Sequence, residues 1–186
     1  MKSHIFPAIR LTVICLIFFV GLYSAIVFCT AQFAPNKGKG EIITQNGKTY
    51  YSNIGQKFTD DKYFYSRPSA VDYNAAGSGA SNKGTTNPDY LKIVQDRIDS
   101  FIAHNPGINK ADIPSDLITA SGSGLDPNIS VQAAIVQIKR IAKIRGIAPE
   151  NLQQLIITNT EKPFLGLFGT EKINVLKLNL ALDNLK

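Results

Sequence analysis

The stretch LTVICLIFFVGLYSAIVFCTAQFA, residues 11–34, decides the architecture of this chain. It lies within 26 consecutive uncharged residues between Arg10 and Lys37. A helix of about 20 residues crosses a hydrocarbon core of about 30 Å. A cleaved signal peptide is the alternative, but its apolar region is normally only about 7–15 residues long. We therefore predict a permanent transmembrane helix over residues 11–34.

The charges that flank the apolar stretch are nearly balanced. Lys2 and Arg10 precede it, and Lys37, Lys39 and Lys48 follow it. The short, lightly basic N-terminus favours a cytoplasmic N-terminus and an extracytoplasmic C-terminal domain. We expect a single-pass protein of the cell inner (plasma) membrane. Its predicted parts are a tail over residues 1–10, the helix over 11–34, a Pro/Gly/Lys-rich tether over 35–40 and one soluble domain over 41–186.

Composition restricts the partners and the metal chemistry of this domain. The formal net charge is +6, and the basic residues are spread evenly rather than gathered into a stripe, so we expect no nucleic acid partner. A nearby membrane lipid surface suits the same excess of positive charge. Both cysteines, Cys15 and Cys29, lie in the apolar stretch. The soluble domain is therefore predicted to have neither a disulfide nor a cysteine-based metal site.

Turn and capping signals divide the soluble domain into elements. Asn46 and Gly47 are typical of a two-residue type I′ turn and predict a β-hairpin over residues 41–52. Asn87 followed by Pro88 predicts a helix start, and apolar residues then recur at three- and four-residue spacing up to His104. A second helix is predicted from the cap Ser130 to the residue before Gly146, and a third over residues 149–159.

The end of the chain is predicted to close a sheet. FLGLFG at residues 164–169 indicates a turn, and INVLKLNLAL at residues 173–182 is apolar enough for a central strand that pairs with the hairpin. The resulting class is α+β: one N-terminal transmembrane helix, then a single soluble domain with a small mixed or antiparallel sheet and about three helices. The cations at the end of the second helix are expected to be solvated and to complement its C-terminus: Lys139, Arg140, Lys143 and Arg145.

Serines next to glycines raise the question of hydrolysis. The pattern that begins at Gly79 and Ser81 has Lys83 where a nucleophile elbow needs its closing glycine. His104, the only histidine of the predicted domain, is expected to be a solvated side chain. Residues 47–49 resemble the end of a phosphate-binding loop but lack its earlier glycine. We expect no catalytic residue, cofactor or metal in this chain; a membrane-anchored serine hydrolase and a stand-alone binding module are the alternatives.

Two segments rich in small polar residues, 67–87 and 119–126, are predicted to form surfaces that bind another protein. A loop as long as the first is commonly either disordered or functional, and glycine and serine allow close backbone approach. Arg67 has two open interpretations: a bond to an acceptor of the partner, or an internal salt bridge to Asp60 or Asp61 that orders the loop. The candidate interface residues are Arg67, Pro68, Ser69, Tyr73, Asn74, Ser81, Asn82, Ser121, Ser123 and Asp126.

Several motifs in a fixed order resemble one family. They are FYSRPSA at 64–70, YN at 73–74, SGASN at 78–82, IPSDLITASGSGLDP at 113–127, IS at 129–130, LFG at 167–169, NVL at 174–176 and LNLAL at 178–182. Together they closely resemble the C subunit of the Kdp-type potassium-transporting P-type ATPase, nearly from end to end.

The resemblance implies an accessory subunit of a high-affinity, ATP-driven potassium uptake complex. Its expected partners are a channel-like A subunit, the P-type ATPase B subunit and a small F subunit. The resemblance also implies that this chain assists assembly and stabilises the complex, with its domain outside the membrane against the A subunit. ATP, Mg²⁺ and K⁺ would then be bound at the level of the complex rather than by this chain.

Overall fold

The computed structural model describes residues 4–45 and 47–185, which form two compact units, Met1–Tyr51 and Ser52–Lys186. The first unit contains one continuous helix, Ile5–Ala31, which is long and apolar enough to cross a membrane. It consists of α1 (Ile5–Cys15), a π-helical segment (Leu16–Leu22) and α2 (Tyr23–Ala31). Pro7 is tolerated because it lies in the first turn, where backbone N–H groups have no helical partner.

The predicted hairpin completes the first unit. Strands β1 (Ile42–Gln45) and β2 (Lys48–Tyr51) are antiparallel, with Ile42 opposite Tyr51 and Gln45 opposite Lys48. Gly47 has a φ of +74°, as the predicted turn requires. The other turn residue, Asn46, lies outside the described residues.

The second unit contains helices α3 to α7: α3 (Pro88–His104), α4 (Val131–Ile135), α5 (Ile138–Arg145), α6 (Pro149–Asn159) and α7 (Val175–Asn184). The predicted caps are confirmed, since the side chain of Asn87 accepts from the N–H of Tyr90 at 3.1 Å and that of Ser130 accepts from the N–H of Ala133 at 3.1 Å. The predicted second helix is divided after Ile135, and Gly146 ends its second part with a φ of +66°.

The prediction of a strand over residues 173–182 is wrong beyond its first two residues. Strand β5 (Lys172–Asn174) is followed at once by α7, and Asn174 caps that helix by accepting from the N–H of Lys177 at 3.0 Å. The leucine-rich run is helical because its apolar residues recur at three- and four-residue spacing on one buried face. Those buried apolar residues are Val175, Leu178 and Leu182.

The predicted pairing of the last strand with the hairpin is also wrong. Strand β5 is the middle of a separate antiparallel sheet, with β3 (Asn128–Ile129) on one side and β4 (Thr160–Glu161) on the other. Ile173 lies opposite both Ile129 and Thr160. The α+β class is confirmed, with two small antiparallel sheets in the described residues. Helices and this sheet enclose one core, whose fully buried members include Phe64, Ile141, Leu152, Ile173 and Leu178.

Candidate functional site

Buried polar side chains fix the chain segment that leads into the predicted binding loop. Phe64 is fully buried, and the side chain of Asn179 bonds to both its backbone groups, accepting from the N–H at 2.9 Å and donating to the carbonyl at 3.0 Å. The carbonyl oxygen of the Gln137 side chain accepts from the N–H of Tyr65 at 2.8 Å. These bonds satisfy backbone groups that would otherwise be buried without partners. They hold the backbone of Phe64 and Tyr65 in place just before Arg67.

Arg140 is buried, which corrects the prediction that all four cations at the end of this helix are solvated. Its side chain is only 6% exposed, and it donates to the carbonyl of Tyr63 at 3.0 Å, to that of Asp61, and to the side chains of Asn105 at 2.9 Å and Gln137 at 2.7 Å. Its guanidinium also lies 4.0 Å from the centre of the Tyr65 ring. Burial lowers the pKa of Arg140. The side chain therefore joins α5 to the segment before the loop.

A hydrogen-bonded cluster of Asp61, Tyr65 and His104 covers this arginine. The Tyr65 hydroxyl donates to Asp61, and Nδ1 of His104 lies 2.8 Å from the same carboxylate. The hydrogen bond from Tyr65, and after it the one from His104, lowers the pKa of Asp61. Burial raises the pKa of Tyr65 to about 12. His104 is exposed, as predicted, and its ring in addition pairs with Asp61.

Arg67 starts the predicted binding loop and forms an internal salt bridge. Its Nη1 lies 2.9 Å from Oδ2 of Asp126, whereas the predicted partners were Asp60 and Asp61. Asp60 instead pairs with Lys62 at 2.9 Å. The bridge joins the two segments that the sequence marked as candidate binding surfaces, because Arg67 begins the first and Asp126 ends the second.

The first turn of the loop is held by its own side chains. The Ser69 hydroxyl oxygen accepts from the N–H groups of Val71 at 3.2 Å and Tyr73 at 2.9 Å. The Tyr73 hydroxyl donates to the carbonyl of Arg67 at 2.5 Å, and burial raises the pKa of that phenol to about 12. Asn74 accepts from the N–H of Ala76 at 3.0 Å. The loop around residues 67–77 is thus hydrogen-bonded throughout rather than extended and loose.

The next part of the loop packs against the Ser/Gly segment. The hydroxyl of Ser78 and the N–H of Gly79 both donate to the carbonyl of Ser123, at 3.0 and 2.9 Å. Gly124 has a φ of +68°, and a Cβ there would lie 2.7 Å from Cγ2 of Val71 and 2.8 Å from the carbonyl oxygen of Gly79. Only glycine fits at such a position. We call the paired residues 67–80 and 121–126 the loop platform.

The loop platform brings together most of the predicted interface residues. Ser121 is buried, with its hydroxyl 3.5 Å from that of Ser123, and Pro68 is half-buried. Ser81 and Asn82 continue the loop on the exposed side, and Asn82 has a φ of +52°. The ten residues therefore occupy one continuous part of the fold. Their role in binding a partner stays a prediction.

Serine hydroxyl groups of the loop platform bond to the platform's own backbone. The hydroxyl groups of Ser69, Ser78 and Ser123 bond to backbone groups. No group of three or more His, Cys, Asp or Glu side chains that could hold a metal ion occurs in residues 4–45 and 47–185.

Sequence reasoning missed the polar side chains that support the platform, namely Gln137, Arg140 and Asn179. A signal for them existed. Gln137 and Arg140 follow Ala133 at the four- and three-residue spacing of a buried helix face, and Asn179 lies between Val175 and Leu182 on another such face. A polar residue at an apolar position of the repeat indicates a buried hydrogen-bond partner.

An N-terminal helix that is long and apolar enough to cross a membrane, followed by a small α+β domain with a loop platform, is consistent with a membrane-bound subunit. Its family follows from comparison with known proteins. The model of the family described as "K+-transporting ATPase, c chain" matches residues 5–184. The chain therefore belongs to the KdpC family of potassium-transporting ATPase subunits.

Three relatives match this chain along almost its whole length. The potassium-transporting ATPase KdpC subunit of Flavobacterium psychrophilum is 52% identical over 185 residues, which cover 99% of this chain and all of the relative. The corresponding subunit of Bacteroides fragilis is 47% identical over 190 residues, 100% of this chain and 99% of its own. That of Caldanaerobacter subterraneus is 43% identical over 184 residues, 98% of this chain and 95% of its own.

Proposed function

We propose that this chain is the non-catalytic accessory subunit of a high-affinity, ATP-driven potassium uptake complex, and that it assists assembly and stabilises the complex. Its domain lies on the extracytoplasmic side against the channel-like A subunit, with the N-terminus in the cytoplasm. The ATPase B subunit and the small F subunit complete the complex. ATP, Mg²⁺ and K⁺ are bound by those other subunits.

The observation that carries this proposal is the order of the loop platform. A long loop of small residues loses much conformational entropy when it binds, unless it is already fixed. Here the salt bridge from Arg67 to Asp126 and the bonds to the Ser123 carbonyl fix it in advance. A preorganised surface of this kind, in a member of a family of transport ATPase subunits, supports a docking role for the loop platform.

The test adds bulk to the platform without disturbing its fold. Gly122 is exposed, and a Cβ there meets no atom within 4 Å. We expect Gly122→Phe in the full-length subunit to remove most of the co-purifying A and B subunits, because the ring obstructs close approach. The matched control is Ala111→Phe, which adds a similar ring at another exposed position.

The outcomes separate docking from folding. Circular dichroism of both purified variants should match that of the unsubstituted chain. If Gly122→Phe retains the whole complex as well as Ala111→Phe does, the platform is not the docking surface. If both variants lose the complex, bulk anywhere on the domain is harmful and the assignment to the platform fails.

A further inference from the structure

The most exposed apolar side chains of the second unit are gathered in one short turn. Phe164, Leu165, Leu167 and Phe168 are 65–81% exposed, whereas the other exposed large apolar residues of this unit, such as Leu91 and Ile157, are 38–58% exposed and lie singly. Single exposed apolar residues are ordinary, but a contiguous group marks an interaction site. We call residues 164–168 the apolar tip.

The apolar tip is a formed structure rather than a loose end. Phe164 and Phe168 exchange two backbone hydrogen bonds, of 2.9 and 3.0 Å. The N–H of Gly166 donates to the carbonyl of Pro163 at 2.9 Å, and Leu165 and Gly166 have φ of +54° and +72°. The turn therefore presents four large, strongly exposed apolar side chains. Because the turn is already ordered, its binding would cost little further conformational entropy.

Lysines flank the tip in the chain on both sides. Lys162 and Lys172 flank it in sequence and are exposed. Glu161 is neutralised by Lys172 at 3.7 Å and by Lys177 at 3.2 Å. With Glu171 included, three lysines stand against two glutamates, which leaves an excess of one positive charge. An apolar turn flanked by basic residues is the pattern that binds an anionic lipid surface.

We propose that the apolar tip inserts into an anionic lipid leaflet, with Lys162 and Lys172 at the level of the headgroups. A strongly exposed apolar turn suits a deformable bilayer, and the helix Ile5–Ala31, which is long and apolar enough to cross a membrane, would hold the domain at high local concentration beside it. Insertion gives the domain a second attachment besides that helix. This contact goes beyond docking to another subunit and does not depend on it.

The chain contains no tryptophan, so one introduced tryptophan reports its own surroundings. The test uses full-length Leu167→Trp in vesicles of phosphatidylcholine and phosphatidylglycerol whose acyl chains are brominated. Bromine quenches only indole groups within the bilayer. We expect Trp fluorescence at position 167 to be blue-shifted and quenched several-fold. The control is Leu91→Trp, a half-exposed position on α3, which should keep a solvent-like, unquenched emission.

Two results would overturn the proposal. An unquenched, solvent-like emission from Leu167→Trp in the vesicles means that the tip stays in water. An emission that is solvent-like for the chain alone and shifts to the blue only in the purified complex makes the tip an anchor for another protein. Equal quenching of Leu167→Trp and Leu91→Trp would also count against it, because the tip would then have no special contact with lipid.

Discussion

At the scale of single residues, Arg140 shows how a buried cation is stabilised without a direct ion pair. Its Nε, Nη1 and Nη2 atoms all donate to carbonyl or amide oxygen atoms, and an aromatic ring covers the guanidinium. Its planar fork reaches several acceptors at once, which a lysine ammonium cannot do. The acceptors it serves belong to residues 61–63, to Asn105 just after α3 and to Gln137 just before α5, so one side chain connects three parts of the second unit.

Arg140→Ala is expected to lower the free energy of unfolding by about 3 kcal/mol, because several buried acceptors lose charged donors. Arg140→Lys should recover only part of the loss. Lys143→Ala, at an exposed position of the same helix, should change the value by less than about 0.5 kcal/mol. Chemical denaturation of the full chain in detergent, followed by circular dichroism, measures all three. Equal stability of Arg140→Ala and Lys143→Ala would contradict this account.

At the scale of elements, the loop platform is a contact between two irregular segments that substitutes for regular secondary structure. The backbone N–H of Gly79 donates directly to the carbonyl of Ser123, and this close crossing needs residues without large side chains. Gly124 lies at that crossing, and Gly55 makes a similar close approach, with its N–H donating to the carbonyl of Leu125 at 2.7 Å. Gly55 and Gly124 therefore serve close packing, whereas Gly122 lies in open space.

Gly124→Ala is expected to destabilise the second unit by about 2–4 kcal/mol, since the methyl group would overlap Val71 and the φ of +68° is strained for alanine. Gly122→Ala, two residues away in open space, should change the stability by no more than about 0.5 kcal/mol. Thermal unfolding of both variants tests the difference. Two equally stable variants would mean that the segments do not pack as described.

At the scale of the whole molecule, the Asp61 cluster makes the free energy of unfolding depend on pH in the acid range. The pKa of Asp61 is lowered from 3.8 in the folded chain, chiefly by the hydrogen bond from Tyr65 and next by that from His104. A carboxyl group with a lowered folded pKa contributes stability that is present above its unfolded pKa and is lost as the pH falls through its folded pKa. The contribution is small, because the carboxylate is 39% exposed.

We predict that Asp61→Asn is less stable than the unsubstituted chain at neutral pH, and that the difference narrows below a pH of about 3.8. Asp96→Asn, which removes an exposed carboxylate on α3, provides the control for a change in net charge. Denaturation curves collected from neutral to acid pH give the comparison. A difference between Asp61→Asn and the unsubstituted chain that stays constant over this range would exclude the role given to the carboxylate.

The sequence by itself determined the membrane helix, the hairpin, the helix caps at Asn87 and Ser130, the α+β class and the family. Each rests on a local signal: hydrophobic length, turn residues, capping side chains or ordered motifs. Such signals act between residues that are near one another in the chain. For the same reason the sequence marked residues 67–87 and 119–126 as candidate binding surfaces but could not show that Arg67 pairs with Asp126.

Only the tertiary structure decided that the last apolar run is mostly helical, that β5 pairs with β3 and β4, and that Arg140 is buried. A run such as residues 173–182 suits either a buried strand or a buried helix, and the choice depends on the core it meets. Arg140 is buried because acceptors from distant parts of the chain converge on it, notably the carbonyl of Tyr63. Such convergence is a property of packing, which no local pattern of residues contains.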